Sequence, residues 1–169
     1  MRKLFSGFLA AGMLTTQIAA ADPCARPVEK AAFDVTALKS QLMVTALACS
    51  AQDKYNAFVT KYRADLMKAE KALNSYFGRA FGRRGRQQHD EYITSLANAQ
   101  SEAGTKLGAA YCQHELVMFD HVMPVSGASS LPSVATTEPV VQAASLTDCP
   151  APVHRTRTAQ ADTTSHHHH

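Results

Sequence analysis

All seven prolines of this 169-residue chain fall before residue 28 or after residue 123, and residues 34–121 contain none. Proline removes a backbone donor and breaks a helix or a central strand, so a long block without it, set between flanks that have it, is where continuous regular structure can form. The spacing of apolar residues inside the block identifies the structure as helical. Leu38, Leu42, Ala46 and Cys49 recur every three or four residues, and Tyr55, Phe58, Tyr62, Leu66, Ala69, Leu73 and Phe77 continue the pattern. Lys54, Lys61, Asp65, Lys68 and Lys71 form the opposite, solvated face. Ser50 to Asp53 has the form of a capping box that restarts a helix, so a bend and a break are both open at that point.

The run meets three glycines among residues 77–86, each costing a helix about 1 kcal/mol, and a turn is expected there. A second periodic face follows, through Tyr92, Leu96, Ala99, Ala103, Leu107, Tyr111, His114, Met118 and His121, with Gly104 and Gly108 as candidate kinks. Two long antiparallel helices and a shorter first one predict an all-α, three- to four-helix bundle over residues 34–123. An extended amino-terminal arm is expected over residues 22–33. Residues 124–165, rich in Pro, Ser, Thr, Ala and Val without either period, are expected to be an extended or disordered tail that becomes ordered on a partner.

Residues 1–21 read as a cleaved secretion signal: a basic start at Arg2 and Lys3, an apolar run over residues 4–14, and Ala19, Ala20 and Ala21 before the cleavage point. That run is too short for a membrane span, which needs roughly 20 residues. The four terminal histidines, residues 166–169, read as a tag. Without the signal, 17 basic residues become 15 against 14 acidic ones, a balance that gives no reason to expect a nucleic-acid partner. Export to the periplasm makes disulfides the default fate of Cys24, Cys49, Cys112 and Cys149. Three pairings are possible. Cys49 and Cys112 both lie in helical stretches and Cys24 and Cys149 in proline-flanked arms, so like environments pair as Cys49 with Cys112 and Cys24 with Cys149. No CxxC or CxxCH exists for zinc, thiol redox or covalent haem.

Arg79, Arg83, Arg84 and Arg86 are the densest charge on the chain. They suit a grip on anionic lipid, phosphate or a carboxylate-rich partner, against the plainer reading of a solvated turn whose cations favour a helix carboxyl end. His89, His114 and His121, with Asp90, Glu115 and Asp120 nearby, lack ligand spacing: His114 and His121 stand seven apart where one helix face needs three or four, and they read as half-buried helix residues. No serine elbow, Cys–His pair, glycine-rich phosphate loop or paired carboxylates appear, so the chain reads as a non-enzyme with no metal site.

Leu38-Lys39-Ser40-Gln41-Leu42-Met43, Cys49, Gln52-Asp53-Lys54-Tyr55-Asn56, Phe58, Tyr76-Phe77, Tyr92, Leu96-Ala97-Asn98-Ala99-Gln100-Ser101 and Tyr111-Cys112 resemble small exported helical proteins of alphaproteobacteria. Within that group the chain is similar to the small third subunit of the membrane-bound quinohaemoprotein alcohol dehydrogenases of acetic acid bacteria, over residues 34–115. The resemblance implies a non-catalytic accessory subunit without a cofactor of its own. Pyrroloquinoline quinone and haem c would belong to its partners, a larger dehydrogenase subunit and a cytochrome c subunit. Membrane association would be indirect, on the periplasmic face, and the role would be to stabilise or assemble the complex. The alternative is a free-standing periplasmic helical binding or chaperone-like protein.

Overall fold

The first helix starts before the proline-free block does. α1 spans Pro27–Ala48, with Pro27 in its first turn, where the missing N–H is one that an α-helix leaves unpaired anyway. The amino-terminal arm is therefore shorter than the expected residues 22–33, and at 22 residues α1 is a long helix rather than a short one. The computed structural model, in which this is seen, describes residues 23–126 and 130–150. The expected secretion signal, the histidine run and residues 127–129 and 151–165 of the expected tail lie outside the described residues.

The described chain is all-α: α1 is followed by α2 (Gln52–Lys61), α3 (Arg63–Phe81), α4 (Gly85–Leu107), α5 (Tyr111–Glu115), α6 (Val117–Val122) and α7 (Ser130–Ala135). α1 is the central element, packed against α2, α3, α4, α5 and α7. Its sequence explains why, since Ala32, Phe33, Val35, Ala37, Leu38, Leu42 and Ala46 point in several directions and all are buried. A helix apolar around most of its circumference has to be surrounded. Phe33 is the centre of an aromatic cluster, edge-on to Tyr76 at 5.0 Å and to Tyr92 at 4.9 Å. Such pairs add about 0.5–1.5 kcal/mol each beyond the area they bury.

The open question at residues 50–53 resolves as a break. Ala51 N–H reaches back to Ala46 C=O at 2.9 Å across Ser50, whose φ is 54°, which is a Schellman closure of α1. No side chain caps α2 at Ala51, so the expected capping box does not form. The apolar face of α2 and α3 is also interrupted at Tyr62, whose hydroxyl donates to Val122 C=O and Val125 C=O and ties this joint to the end of α6. The expected glycine turn is present: α3 passes through a 3₁₀ turn, Gly82–Arg84, into antiparallel α4. Gly82 and Gly108 both take positive φ, at 56° and 54°, where a side chain is strained, and each ends a long helix.

Both expected disulfides form. Cys49 and Cys112 join the end of α1 to α5, with Cα atoms 5.5 Å apart, and Cys24 and Cys149 join the arms at 4.8 Å. Closing the 63-residue separation of the first pair stabilises the fold by about 4 kcal/mol on the chain-entropy account.

The tail departs from expectation where it meets the bundle. It is extended and irregular over residues 136–150, but it lies against this chain's own helices: Leu131 and Ala135 of α7 are buried on α1. Two glutamines hold the extended part. Gln142 Nε2 donates to Phe33 C=O while its Oε1 accepts from Tyr92, and Gln100 Nε2 bridges Ala37 C=O and Val141 C=O. Ala25 pairs with this strap, donating to Thr147 C=O at 2.8 Å and accepting from Cys149 N–H at 3.1 Å. An apolar side of α1 thus covers the start of the tail within this chain.

Candidate functional site

Two surfaces stand out, at opposite ends of α4. At its carboxyl end, Val44, Leu47 and Ala48 of α1 face Ser101, Gly104, Thr105 and Gly108 across a groove of about 660 Å³ that runs beside the Cys49–Cys112 bond. Tyr111 forms its floor, anchored by a hydroxyl contact with Thr45 Oγ1 at 3.2 Å, and Gly104 leaves room for the tyrosine ring. Leu47 is 65% exposed, and Leu107, one residue before Gly108 in the chain, is 41% exposed. Leu107 was expected on the buried face. It is exposed because α4 ends one residue later, at Gly108, which turns the chain away before the face can continue.

At the amino end of α4, the structure divides the four arginines. Arg79 turns inward: its Nη2 donates to Glu29 Oε2 at 2.6 Å and to Cys24 C=O at 2.8 Å, and the guanidinium lies over the Tyr76 ring. Glu29 also accepts from Arg26 N–H at 2.8 Å, so one buried carboxylate starts α1 and fixes the arm to α3. Arg79 is thus a structural tie and leaves the expected contact set. Arg83, Arg84 and Arg86 are exposed.

The histidines do not converge, and among the described residues no three His, Cys, Asp or Glu side chains group as a metal site. His114 and His121, expected to be half-buried, are exposed, and each faces a carboxylate: Glu115 at 3.1 Å and Glu138 at 3.4 Å. The buried face of α5 and α6 runs instead through Tyr111, Met118, Phe119 and Val122, which leaves His114 and His121 on the other side. His89 is the buried one. Its ring stacks on Phe77 and its Nδ1 is 3.1 Å from Asn74 Oδ1, while the Asn74 amide nitrogen donates to Glu70. That order places the proton on Nδ1.

Burial pushes the Tyr92 hydroxyl well above the usual tyrosine range, with the nearby Asp34 carboxylate adding to the rise and the bond to Gln142 opposing it. Burial likewise raises Asp34. These shifts follow from the strap covering the aromatic cluster, and neither group stands beside a nucleophile or a metal ligand set.

The chain matches no protein-family model, no curated protein and no solved structure. Its own residues therefore carry the functional argument. Among the described residues no helix is long and apolar enough to cross a membrane, and the two disulfides suit an oxidising compartment. Glu29, Gln100, Gln142 and Leu47 were not singled out by sequence. Glu29 had one available signal, an acidic residue three positions after a helix cap and just beyond Pro27 at the helix start.

Proposed function

We propose that this chain is a non-catalytic periplasmic accessory subunit that stabilises or assembles a membrane-bound quinoprotein alcohol dehydrogenase complex. The groove beside Cys49 and Cys112 carries the reading. Leu47 holds apolar area in water in a trough lined by Cys112 of a disulfide, Leu107 is exposed one residue before the lining Gly108, and exposed apolar surface on a rigid scaffold is characteristic of a protein contact. The resemblance over residues 34–115 names the partner as the larger dehydrogenase subunit. The cytochrome c subunit and the membrane are reached through it, and the pyrroloquinoline quinone and haem c stay with those partners.

The test is co-purification from native membranes of the full chain and of a Leu47→Asp/Leu107→Asp variant, followed by mass spectrometry and a haem stain. Both positions are exposed, so the variant keeps its helical circular dichroism. The wild-type chain is expected to bring down a large quinoprotein with a haem-bearing chain, and the variant to lose both. A wild-type chain that leaves its native membranes alone and monodisperse refutes the proposal. That outcome favours the second reading, a free-standing binding protein, for which the same groove has the volume of a small-ligand pocket.

A further inference from the structure

The arginine turn is separate from the groove, lying at the other end of α4, a helix of 23 residues and so roughly 35 Å long. It is also electrostatically unbalanced. Arg83 and Arg84 lie in the 3₁₀ turn and Arg86 in the first helical turn, which contains no acid, and among the described residues no carboxylate pairs with any of the three. The nearest acids on α4, Asp90 and Glu91, share a surface with Arg86 and offset part of this charge, leaving residues 83–91 with a net charge of +1. Glu91 is held by Gln87 Nε2 at 2.7 Å and Gln88 Nε2 at 2.6 Å, while Asp90 makes no ion pair among the described residues. The helix termini contribute little net field, because the carboxyl end of α3 and the amino end of α4 meet at the turn and their partial charges oppose each other. Three like charges crowd within four residues, on a backbone held by Gly82 at positive φ and by Gly85, which sits so close to Phe77 C=O that a Cβ would fall 2.7 Å away.

We propose that Arg83, Arg84 and Arg86 form a docking surface for a carboxylate-bearing protein surface. Three features select this partner. All three residues are arginines, whose planar forks bind carboxylates two bonds at a time. An anionic membrane is recognised by clusters of about four to eight cations, and this cluster has three. Surface-seeking segments also present an apolar residue to the acyl boundary, whereas among the described residues the exposed large apolar ones are Val28, Leu47, Met67, Leu107 and Val117, none of them at the turn, and Phe81 beside it stacks on Phe77. The proposal stands whether or not the groove binds a dehydrogenase.

The probes are a fluorescein-labelled octaglutamate peptide, followed by anisotropy, and vesicles of phosphatidylcholine with 30% phosphatidylglycerol, followed by co-sedimentation. An Arg83→Gln/Arg84→Gln/Arg86→Gln chain is compared with an Arg63→Gln/Lys68→Gln/Lys71→Gln chain, which loses the same charge from another exposed surface. Circular dichroism verifies that both fold. The wild-type and control chains should bind the peptide alike, with affinity falling as salt is added, and the turn variant should bind at least about tenfold more weakly. Equal loss in the two variants shows that only net charge matters and overturns the proposal. Vesicle binding without peptide binding assigns the turn to membranes and overturns it as well, as does a wild-type chain that binds neither.

Discussion

Arg79→Met should be among the most damaging single changes on the surface of α3, because of what it leaves behind. The Glu29 side chain is 3% exposed and Arg79 23% exposed, with Nη2 and Oε2 2.6 Å apart. The methionine side chain would fill most of the space and leave a buried carboxylate supported only by Arg26 N–H. Removing one partner of a buried pair costs about 3–5 kcal/mol. The retained bond from Arg26 and the partial exposure of Arg79 put this case near the lower end, about 3 kcal/mol. For a domain of this size that lowers the melting temperature by about 10 °C. Glu29→Gln should cost less, about 1–2 kcal/mol, since Arg79 keeps Cys24 C=O and can turn toward water. Glu29→Met with Arg79→Met should recover most of the loss, because no charge is then left without a partner. The assay is thermal and urea unfolding followed by circular dichroism, without reductant so that Cys24 and Cys149 stay joined. A loss below about 1 kcal/mol for Arg79→Met, or a double variant no more stable than the single one, refutes the view that this pair fixes the arm.

Gly85→Ala should destabilise by about 1–3 kcal/mol in urea unfolding, since its Cβ meets Phe77 C=O, whereas Gly78→Ala, with open space around the new methyl, should stabilise by about 0.5–1 kcal/mol. Leu131→Ala should cost about 2–5 kcal/mol if α7 belongs to the core, and a melting temperature unchanged from wild type would return the tail to solvent. Tyr92, Tyr76 and Tyr55 all have hydroxyls raised by burial, so the unfolded chain gives up these protons first. Stability is therefore full below the ordinary tyrosine value of about 10 and falls as pH rises above it. The urea midpoint should drop between about pH 9 and about pH 11, with a shallower drop in Tyr92→Phe.

How much of this was legible in the sequence depended on the length scale of the signal. Helix type, the turn after Phe81 and the pairing of Cys49 with Cys112 follow from local periods, glycines and proximity along a hairpin, which are properties of neighbouring residues. The start of α1 was hidden by Pro27, because the same residue opens helices and ends them. The strap was hidden for a different reason. Its packing comes from Leu131 meeting α1 and Gln142 meeting α1 and α4 across long sequence separations, and a Pro/Ser/Thr composition carries no trace of those partners, whereas the tie from Cys149 to Cys24 was legible in the proline-flanked arms. The arginine cluster was visible as a cluster, but its division was not, since only the position of buried Glu29 tells Arg79 from Arg83, Arg84 and Arg86.

The two disulfides are nested, the bond from Cys24 to Cys149 enclosing the one from Cys49 to Cys112. A single proteolytic cut anywhere between residues 24 and 149 therefore releases no fragment: the pieces stay tethered once, and twice when the cut falls between residues 49 and 112. Chains nicked within this interval and intact chains would migrate alike on a non-reducing gel and separate only after reduction, so a protease in an oxidising compartment has to cut repeatedly before any part between residues 24 and 149 is lost.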